Sequence, residues 1–162
     1  MIVNGKALLD AAPIVDMWPN KQVEHGVSFG LGEAGYDIRI AEDVTFTRKN
    51  GYGSVLVNGE EFIGRFALAS AMEEFQMPDD LVGIVHDKST HARQGISVFN
   101  TVIEPGWHGM LTLELVFHGQ QEVFIPAGCG IAQVIFTKVQ EPARYSGKYM
   151  NQEAGPQKAR FR

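Results

Sequence analysis

The sequence is almost free of cysteine, with Cys129 the only one in 162 residues. A single cysteine cannot form an internal disulfide, and it cannot supply a Cys-x-x-Cys pair to a zinc site. The sequence therefore excludes a disulfide scaffold and a paired-thiolate zinc site. Because Gly128 and Gly130 flank Cys129, we expect its thiol to lie in a turn.

Long apolar runs are also missing. The sequence has no stretch of roughly 18 apolar residues, which is the length that a membrane-spanning helix requires. The first residues do not combine a basic segment with an apolar stretch and a small-residue cleavage site, as a secretory signal would. We therefore expect a cytoplasmic protein that has no membrane partner.

Positive charge is scarce overall. The chain carries 14 Lys and Arg residues against 19 Asp and Glu residues, for a formal net charge of −5. Proteins that coat DNA or RNA need a surplus of positive charge to neutralise phosphates, so nucleic acid is not an expected partner. Residues 142–162 differ, because they are locally cationic with a single acidic residue. The basic residues of this segment are Arg144, Lys148, Lys158, Arg160 and Arg162.

What the sequence does contain is a dense series of strand patterns. From residue 36 onward, short stretches rich in Val, Ile, Phe and Thr alternate with Gly, Asn, Asp and Pro clusters, which is typical of all-β domains. With 44% hydrophobic residues, the composition suits one compact domain. We predict a sandwich or barrel. Its expected strands are Tyr36–Ile40, Asp43–Thr47, Ser54–Val57, Phe62–Ala69, Glu74–Gln76, Val82–Val85, Ser97–Asn100, Leu111–Val116, Glu122–Ile125 and Ile131–Val139.

Helix patterns are few. Residues 5–12 favour one short helix, which Pro13 would end. The segment Lys88–Arg93 has the spacing of a single helical turn between two strands, and such a turn would place Ser89 and Arg93 on the same face.

The end of the chain has few aliphatic residues. We therefore expect a barrel domain over residues 1–141 and a tail over residues 142–162 that adds nothing to the core.

Four separated segments place polar or charged residues where a plain β-domain needs only turns. They are residues 34–39, 88–93, 104–114 and 144–152. The first, Ala34-Gly35-Tyr36-Asp37-Ile38-Arg39, resembles the first motif of the dCTP deaminase and dUTPase superfamily. The second, Lys88-Ser89-Thr90-His91-Ala92-Arg93-Gln94-Gly95, resembles the serine-arginine motif of that superfamily.

The remaining core motifs follow in the expected order. Segments Glu104–Gly109, Leu113–Leu115 and Pro126–Gln133 are similar to them, and the resemblance covers residues 34–140 in total. The tail segment Lys148–Gly155 resembles the deaminase ending rather than the glycine-rich ending of trimeric dUTPases, which favours deamination.

The resemblance implies an all-β, dUTPase-like distorted β-barrel of jelly-roll character with one or two short helices. It also implies a homotrimer whose active sites are shared between subunits, and a tail that folds over the bound nucleotide. The expected substrate is a deoxypyrimidine nucleoside triphosphate. The expected reaction is the hydrolytic deamination of dCTP to dUTP and ammonia.

Glu114 is the candidate general base and proton shuttle. Deamination of cytosine requires a nucleophilic water at the ring carbon that bears the amino group, and a group that passes protons to the departing ammonia. Leu113 and Leu115 flank Glu114 on an expected strand, so its side chain points away from theirs and can enter a pocket whose low polarity raises its pKa. An exposed strand glutamate is the alternative interpretation.

Two residues of the predicted helical turn would assist. Ser89 and a backbone carbonyl would help Glu114 to hold the water, and Arg93 could pair with Glu114 or with phosphate, because its planar fork fits both. A helix-capping serine and a surface arginine are the alternatives.

Ten further residues are expected to bind the nucleotide. Trp107 offers a flat ring for deoxyribose, and Gln133 suits a phosphate contact at a subunit boundary. A core aromatic and a glutamine bonded to buried backbone are the competing roles, and Asp37 could be a simple turn residue. By resemblance, the full set is Lys88, Asp37, Asn100, Thr101, Val102, Trp107, Gln133, Tyr145, Lys148 and Gln152.

No residue is expected to bind a metal directly. Zinc deaminases use a His/Cys/Cys or three-Cys site with a paired-cysteine motif, which this sequence lacks. None of the histidines has the short helical spacing of a zinc site. The resemblance implies that Mg²⁺ enters with the triphosphate, near Asp37, and that zinc takes no part.

Two features favour related activities. Residues 96–103 form a shorter loop than the corresponding deaminase loop, and Asn100-Thr101-Val102 is closer to the uracil-binding hairpin of dUTPases. Glu104 stands where dUTPases carry the aspartate base that activates water for attack on the α-phosphate. A dUTP diphosphatase or a bifunctional enzyme that uses Glu104 is therefore an alternative, and a non-catalytic nucleotide-binding regulator is a further one.

Overall fold

The computed structural model describes residues 1–49 and 51–161. Within these residues the chain forms many strands and two short helices, α1 (Gly5–Ala11) and α2 (Ser89–Ala92), which confirms the expected all-β class. The strands are β1 (Ile2–Val3), β2 (Gln22–Glu24), β3 (Val27–Leu31), β4 (Tyr36–Arg39), β5 (Val44–Lys49), β6 (Tyr52–Val57), β7 (Glu60–Ile63), β8 (Phe66–Gln76), β9 (Leu81–Asp87), β10 (Ile96–Val98), β11 (Val102–Ile103), β12 (His108–Phe117), β13 (Val123–Ile125) and β14 (Gly130–Lys138).

Both predicted helical segments are helical. Helix α1 ends at Ala11, and Ala12 adopts a left-handed conformation (φ 46°) before Pro13, whose ring cannot continue a helix. Helix α2 is the single turn expected between two strands. In the described part of the chain, neither helix has the length and apolar character needed to cross a membrane.

The strands form three sheets that close into a distorted β-barrel. The largest has the order β11-β9-β14-β4-β3-β2, with β1 paired to β14. The second has the order β10-β12-β8, and the third has the order β13-β5-β6-β7. Isolated bridges from Ile14 to Phe75 and from Ile40 to Ala71 tie strand β8 to the connections of the largest sheet.

The core lies between these sheets and follows from strand alternation. Along β12, Leu113 and Leu115 are buried in the barrel, whereas Glu114 between them faces the other way. The rings of Phe46 and Phe117 stack in the core with their centroids 5.3 Å apart. The inward residues thus fix which side of β12 presents its polar groups.

Some strand boundaries differ from the predictions. The expected strand Phe62–Ala69 is interrupted, because Gly64 has a φ of 112° and the chain turns there between β7 and β8. Residues 74–76 are not a separate strand but the end of β8, and β10 ends at Val98 rather than Asn100. Strands β1, β2, β3 and β11 were not predicted, because short strands carry little periodic signal.

The tail packs more closely than the sequence predicts. Tyr145 and Met150 are partly buried against the core, and Gln152 is buried. The expectation that this segment adds nothing to the core is therefore wrong, because a few well-placed side chains are enough to dock it. Arg162, which belongs to the basic set of the tail, lies outside the described residues.

Two glycines allow strands to approach closely where polar residues cluster. A Cβ at Gly35 would lie 2.3 Å from the carbonyl oxygen of Val134, and a Cβ at Gly130 would lie 2.0 Å from that of Ser28. Neither position accepts a side chain without moving the backbone. This close packing places Asp37 of β4 directly opposite Gln133 of β14.

Candidate active site

A cavity of about 630 Å³ lies between strands β8 and β12, the loop after β11, and the tail. Its size suits a ligand such as a nucleotide, since small-molecule sites typically measure about 300–1,000 Å³. Seven of the residues predicted from the sequence line it. They are Thr101, Val102, Glu104, Trp107, Glu114, Tyr145 and Gln152.

Glu114 is half-buried in the wall of this cavity. Its Oε2 atom is buried and has no hydrogen-bond partner among the described residues. Burial raises the pKa of Glu114 above its ordinary value, as the sequence predicts. An unpaired carboxyl oxygen with a raised pKa is suited to accept and return a proton.

The loop from Glu104 to Trp107 forms the next part of the wall. The backbone N–H of Trp107 donates to the carbonyl of Glu104 (3.1 Å), which closes a tight turn. Trp107 is buried beside Phe75, with ring centroids 6.1 Å apart, so its core role and its position in the cavity wall coincide. Glu104 is exposed at the cavity, which places both carboxylate candidates at one site.

A second cluster of polar residues consists of Asp37 on β4, Gln133 on β14 and Lys88, which directly follows β9. The Lys88 ammonium group forms an ion pair with Asp37 Oδ2, and Gln133 Nε2 donates to Asp37 Oδ1 (3.1 Å). Ser28 Oγ accepts from Lys88 Nζ (3.0 Å) and donates to Asp37 Oδ2 (3.3 Å). Asp37 is therefore a buried, paired carboxylate rather than a simple turn residue.

Ser89 is the first residue of helix α2, next to Lys88 of this cluster, and Arg93 directly follows the last residue of the helix. Both side chains are exposed, and the residue at the N-cap position is Lys88, so Ser89 is not the helix cap. Among the described residues, Oε2 of Glu114 has no hydrogen-bond partner, so Arg93 does not bond to it. The pairing of Arg93 with Glu114, one of the two that the sequence allows, is thus not made within this chain, because residues 89–93 do not line the cavity.

His91 attaches helix α2 to the start of strand β14. Its ring is buried, and its Nε2 lies 2.7 Å from the carbonyl oxygen of Gly130. Burial lowers the pKa of His91, and the positive charge of Lys88 lowers it further, so the ring is neutral and donates from Nε2. Asp87, the residue before Lys88, is fixed by a hydrogen bond that its Oδ1 accepts from the backbone N–H of Val98 (2.6 Å).

One chain therefore brings only part of the predicted site together. Asp37, Lys88, Ser89, Arg93 and Gln133 do not line the Glu114 cavity. Asn100 and Lys148 are exposed and also lie outside its lining.

Of the three tail residues predicted to bind the nucleotide, Tyr145 and Gln152 line the cavity and Lys148 does not. Tyr145 lines the cavity, and its hydroxyl accepts from the backbone N–H of Tyr149 (3.2 Å). The Lys148 ammonium group lies over the rings of Tyr149 and Phe161. The side chain of Gln152 is buried and bonded to the protein itself, which differs from the phosphate contact expected for it.

The described residues contain no group of three His, Cys, Asp or Glu side chains arranged to hold a metal ion. Both oxygens of Asp37 are occupied, one by Lys88 and one by Gln133. A carboxylate paired with an ammonium group in this way does not fit the role of a direct Mg²⁺ ligand.

Several cavity residues were not identified from the sequence. Phe66 and Leu68 come from β8, and only the pairing of β8 with β12 brings them beside Glu114. Thr112 lies two residues from Glu114 on the same face, a spacing that could have revealed it. The further missed residues are Ile103, Leu111, Tyr149, Gln157, Lys158, Ala159 and, in the second cluster, Ser28.

Comparisons with known proteins show which family and fold this chain resembles. A family model described as dCTP deaminase-like matches residues 8–139. A protein of Acidobacterium capsulatum named dCTP deaminase is 34% identical over 163 aligned positions, which cover 86% of this chain and 87% of that protein.

Two solved structures share the fold. The 2'-deoxycytidine 5'-triphosphate deaminase from Agrobacterium tumefaciens gives a TM-score of 0.55 at 17% identity, over 83% of this chain and 47% of that one. A mutant dUTPase from phage phi11 of S. aureus, which coordinates a structural Mg(II) ion, gives a TM-score of 0.52 at 16% identity, over 72% of this chain and 84% of that one. At these identities the similarity concerns the fold alone.

Proposed function

Since the chain belongs to the dCTP deaminase-like family, we propose that it is an enzyme that hydrolyses dCTP to dUTP and ammonia. The observation that carries this proposal is the half-buried Glu114, whose unpaired Oε2 and raised pKa occur in the wall of a nucleotide-sized cavity. A cytoplasmic location belongs to the same proposal, because nucleotide triphosphates are made and used there.

In the proposed mechanism Glu114 acts first as a base. Its ionised carboxylate takes a proton from a water molecule, and the resulting hydroxide adds to the ring carbon that bears the amino group. Glu114 returns this proton to the adjacent ring nitrogen, and then takes the proton of the new hydroxyl group and passes it to the amino group. The carbon–nitrogen bond breaks, and ammonia leaves as the ring carbonyl forms. The raised pKa supports both steps, because the group must accept and release a proton near neutral pH.

Ser89 and Arg93 complete the site from a neighbouring subunit in this proposal. Both side chains are exposed, and the Oε2 atom of Glu114 lacks a hydrogen-bond partner among the described residues. A homotrimer that places α2 of one subunit at the cavity of the next would satisfy both observations. Ser89 would help to hold the water, and Arg93 would contact Glu114 or a phosphate.

The nucleotide itself would lie along the cavity. Trp107 would support deoxyribose, the loop at Asn100, Thr101 and Val102 would face the base, and Tyr145 and Lys148 of the tail would approach the phosphates. From the second cluster, Lys88 and Gln133 would contribute at the subunit boundary. Asp37 would act through Lys88, because their ion pair orients the ammonium group.

Mg²⁺ would accompany the triphosphate and neutralise part of its charge. The described residues offer no cluster for a direct site, so phosphate oxygens and water would supply its ligands. Deamination at the base requires no step at this ion in our proposal.

A second activity is favoured by one observation. Glu104 lines the same cavity as Glu114, so one bound nucleotide could meet both carboxylates. We include dUTP diphosphatase activity, alone or together with deamination, as the alternative that this proximity supports.

The experiment incubates the purified protein with Mg²⁺ and either dCTP or dUTP, and measures ammonia, pyrophosphate and nucleotide products by chromatography. We expect ammonia and accumulating dUTP from dCTP. Pyrophosphate from dUTP alone would replace the proposal with a diphosphatase, and both products would establish a bifunctional enzyme. Binding of both nucleotides without turnover would overturn the enzymatic proposal in favour of a regulatory protein.

A further inference from the structure

The tail is held against strand β12 by backbone pairing. Gly109 and Gln152 form a parallel bridge, in which the N–H of Met110 donates to the carbonyl of Gln152 (2.8 Å). The N–H of Asn151 donates to the carbonyl of His108 (2.9 Å). The contact is close, since a Cβ at Gly109 would lie 2.6 Å from the backbone nitrogen of Gln152.

Thr112 is the centre of the side-chain contacts. Its Oγ1 accepts from Gln152 Nε2 (2.8 Å) and from the backbone N–H of Gln157 (3.0 Å). Gln152 Nε2 also donates to the carbonyl of Met110 (2.9 Å). Thr112 and Gln152 are both buried, and their exposed fractions are 8% and 7%.

An irregularity in the pairing of β12 with β8 lies at the same place. The pairing of β12 with β8 shifts register between Met110 and Thr112, so the regular ladder is interrupted there. The extra residues are on β8, where Ser70 and Glu74 are four positions apart, and the interrupted pairing leaves backbone groups outside the regular ladder. Here the carbonyl of Met110 and the hydroxyl of Thr112 both face the tail.

Thr112 also shares a face of β12 with Glu114, because the two residues are two positions apart and both line the cavity. A second tie closes the same wall, since Trp107 Nε1 donates to the carbonyl of Tyr149 (2.7 Å). The docked tail is therefore attached to the strand that carries the proposed base.

We propose that Thr112 and Gln152 are positioning residues that form a latch between the tail and strand β12. The latch sets the fraction of time that the tail covers the Glu114 cavity. Gln152 acts through Thr112 in this proposal, with its amide protons committed to the latch rather than to phosphate. The effect of the latch on turnover rests on the proposed deaminase function.

The direct test is hydrogen exchange in the nucleotide-free, full-length protein. Thr112→Val keeps the shape of the side chain and removes the hydroxyl, so exchange of tail amides, including that of Gln157, should become about 10-fold faster. Thr112→Ser retains the hydroxyl and should retain the protection. Thr47→Val is the matched control, because Thr47 is a buried threonine on β5, remote from the tail.

Gln152→Met provides a second variant if Thr112→Val does not fold. Hydrogen exchange of the same tail amides should become faster in this variant. Exchange in the double variant should be no faster than in either single variant, because both substitutions remove the same interaction. Additive effects, or unchanged exchange in both single variants, would overturn the latch. If Gln152 instead bound phosphate, Gln152→Met would weaken nucleotide binding without changing exchange in the free protein.

Steady-state kinetics with dCTP supply the second readout. Thr112→Val should lower kcat/KM for ammonia release about 10-fold, mainly through a higher KM. The reason is that part of the substrate's binding free energy is then needed to dock the tail. A fall in kcat alone would contradict the proposed role. Because the exchange measurement needs no substrate, a protein that releases no ammonia would refute the deaminase function and leave the latch to be judged separately.

Discussion

Glu114 lies directly opposite Leu68 in the antiparallel pairing of β12 with β8. The same face of β8 brings Phe66 to the cavity. Apolar neighbours offer no hydrogen bond to a carboxylate, so the charged form is disfavoured and the pKa of Glu114 rises. The strand pairing thus tunes the group that we assign as the base.

The first prediction concerns Glu114→Gln. The amide keeps the shape of the carboxyl group but cannot accept the proton from water, so ammonia release from dCTP should fall by about 10²–10⁴-fold or more while dCTP still binds. An ammonia assay and a binding measurement check this. Glu60→Gln, on the exposed strand β7, is the matched control. Full ammonia release by Glu114→Gln would remove Glu114 from the mechanism.

The pH dependence of turnover follows from the raised pKa of Glu114. The base must be ionised to act, so kcat/KM for dCTP should fall as the pH decreases through that raised pKa. The acidic limb should therefore lie above 4.5, the ordinary pKa of a glutamate side chain. A pH–rate profile over the range in which the protein stays folded measures it. A limb at the ordinary value would argue that the base is an unperturbed carboxylate such as an exposed one.

Mixed oligomers test whether the site is shared. Arg93→Ala and Glu114→Gln should each be nearly inactive alone, but subunits of the two variants that exchange should regain activity, because some sites combine an intact Glu114 with an intact Arg93. Random assembly in equal amounts should restore about a quarter of the wild-type rate. The measurement is ammonia release before and after subunit exchange. Absence of recovery in confirmed mixed oligomers would place all of these residues in a one-chain site.

Gly109→Ala should loosen the tail. The added methyl group meets the backbone of Gln152, so the tail should undock, and its cleavage by a protease should become about 10-fold faster. Gly59→Ala is the control, since Gly59 also has a positive φ (82°), but a methyl group added there would meet no atom of the described residues within 4 Å. Equal sensitivity of the two variants would show that backbone strain alone, rather than contact with Gln152, is responsible.

His91 should make stability depend on pH. Because its pKa is lowered in the folded protein, the unfolded chain binds a proton first as the pH falls below about 6.5, and the stabilising contribution of the neutral ring is then lost. At pH 7.5, His91→Leu should be less stable by about 1 kcal/mol through loss of the bond to Gly130.

Denaturant unfolding at several pH values measures both proteins. The stability difference should narrow as the pH falls from 7.5 to 5.5, and the other histidines are common to both proteins and cancel. A difference that does not change with pH would show that His91 has no shifted titration.

Much of the fold was predictable from local pattern. The alternation of Leu113, Glu114 and Leu115 indicated which side chain leaves the core, and Pro13 marked the end of the first helix. The short strands β2 and β3 were not predictable, because three to five residues carry too little periodicity and their pairing depends on the distant strand β4.

The sequence gives a set of candidate site residues, but it does not give their arrangement in space. Motif resemblance selected both Glu114 and Arg93, yet Glu114 lies in the wall of the cavity, whereas Arg93 lies at the C-cap of α2 and does not line it. The burial of Gln152 was also not predictable from the sequence, because it depends on contacts with the carbonyl of Met110 and the hydroxyl of Thr112, about 40 positions away.

Residue types and their local order were therefore sufficient for the all-β class, the inward and outward faces of single strands and the chemistry that each polar residue can perform. These properties depend on neighbours within a few positions along the chain. The raised pKa of Glu114, the Asp37–Lys88 pair and the docking of the tail arise from contacts between residues tens of positions apart. Burial and hydrogen bonding depend on distance in space, which exists only after the strands have paired.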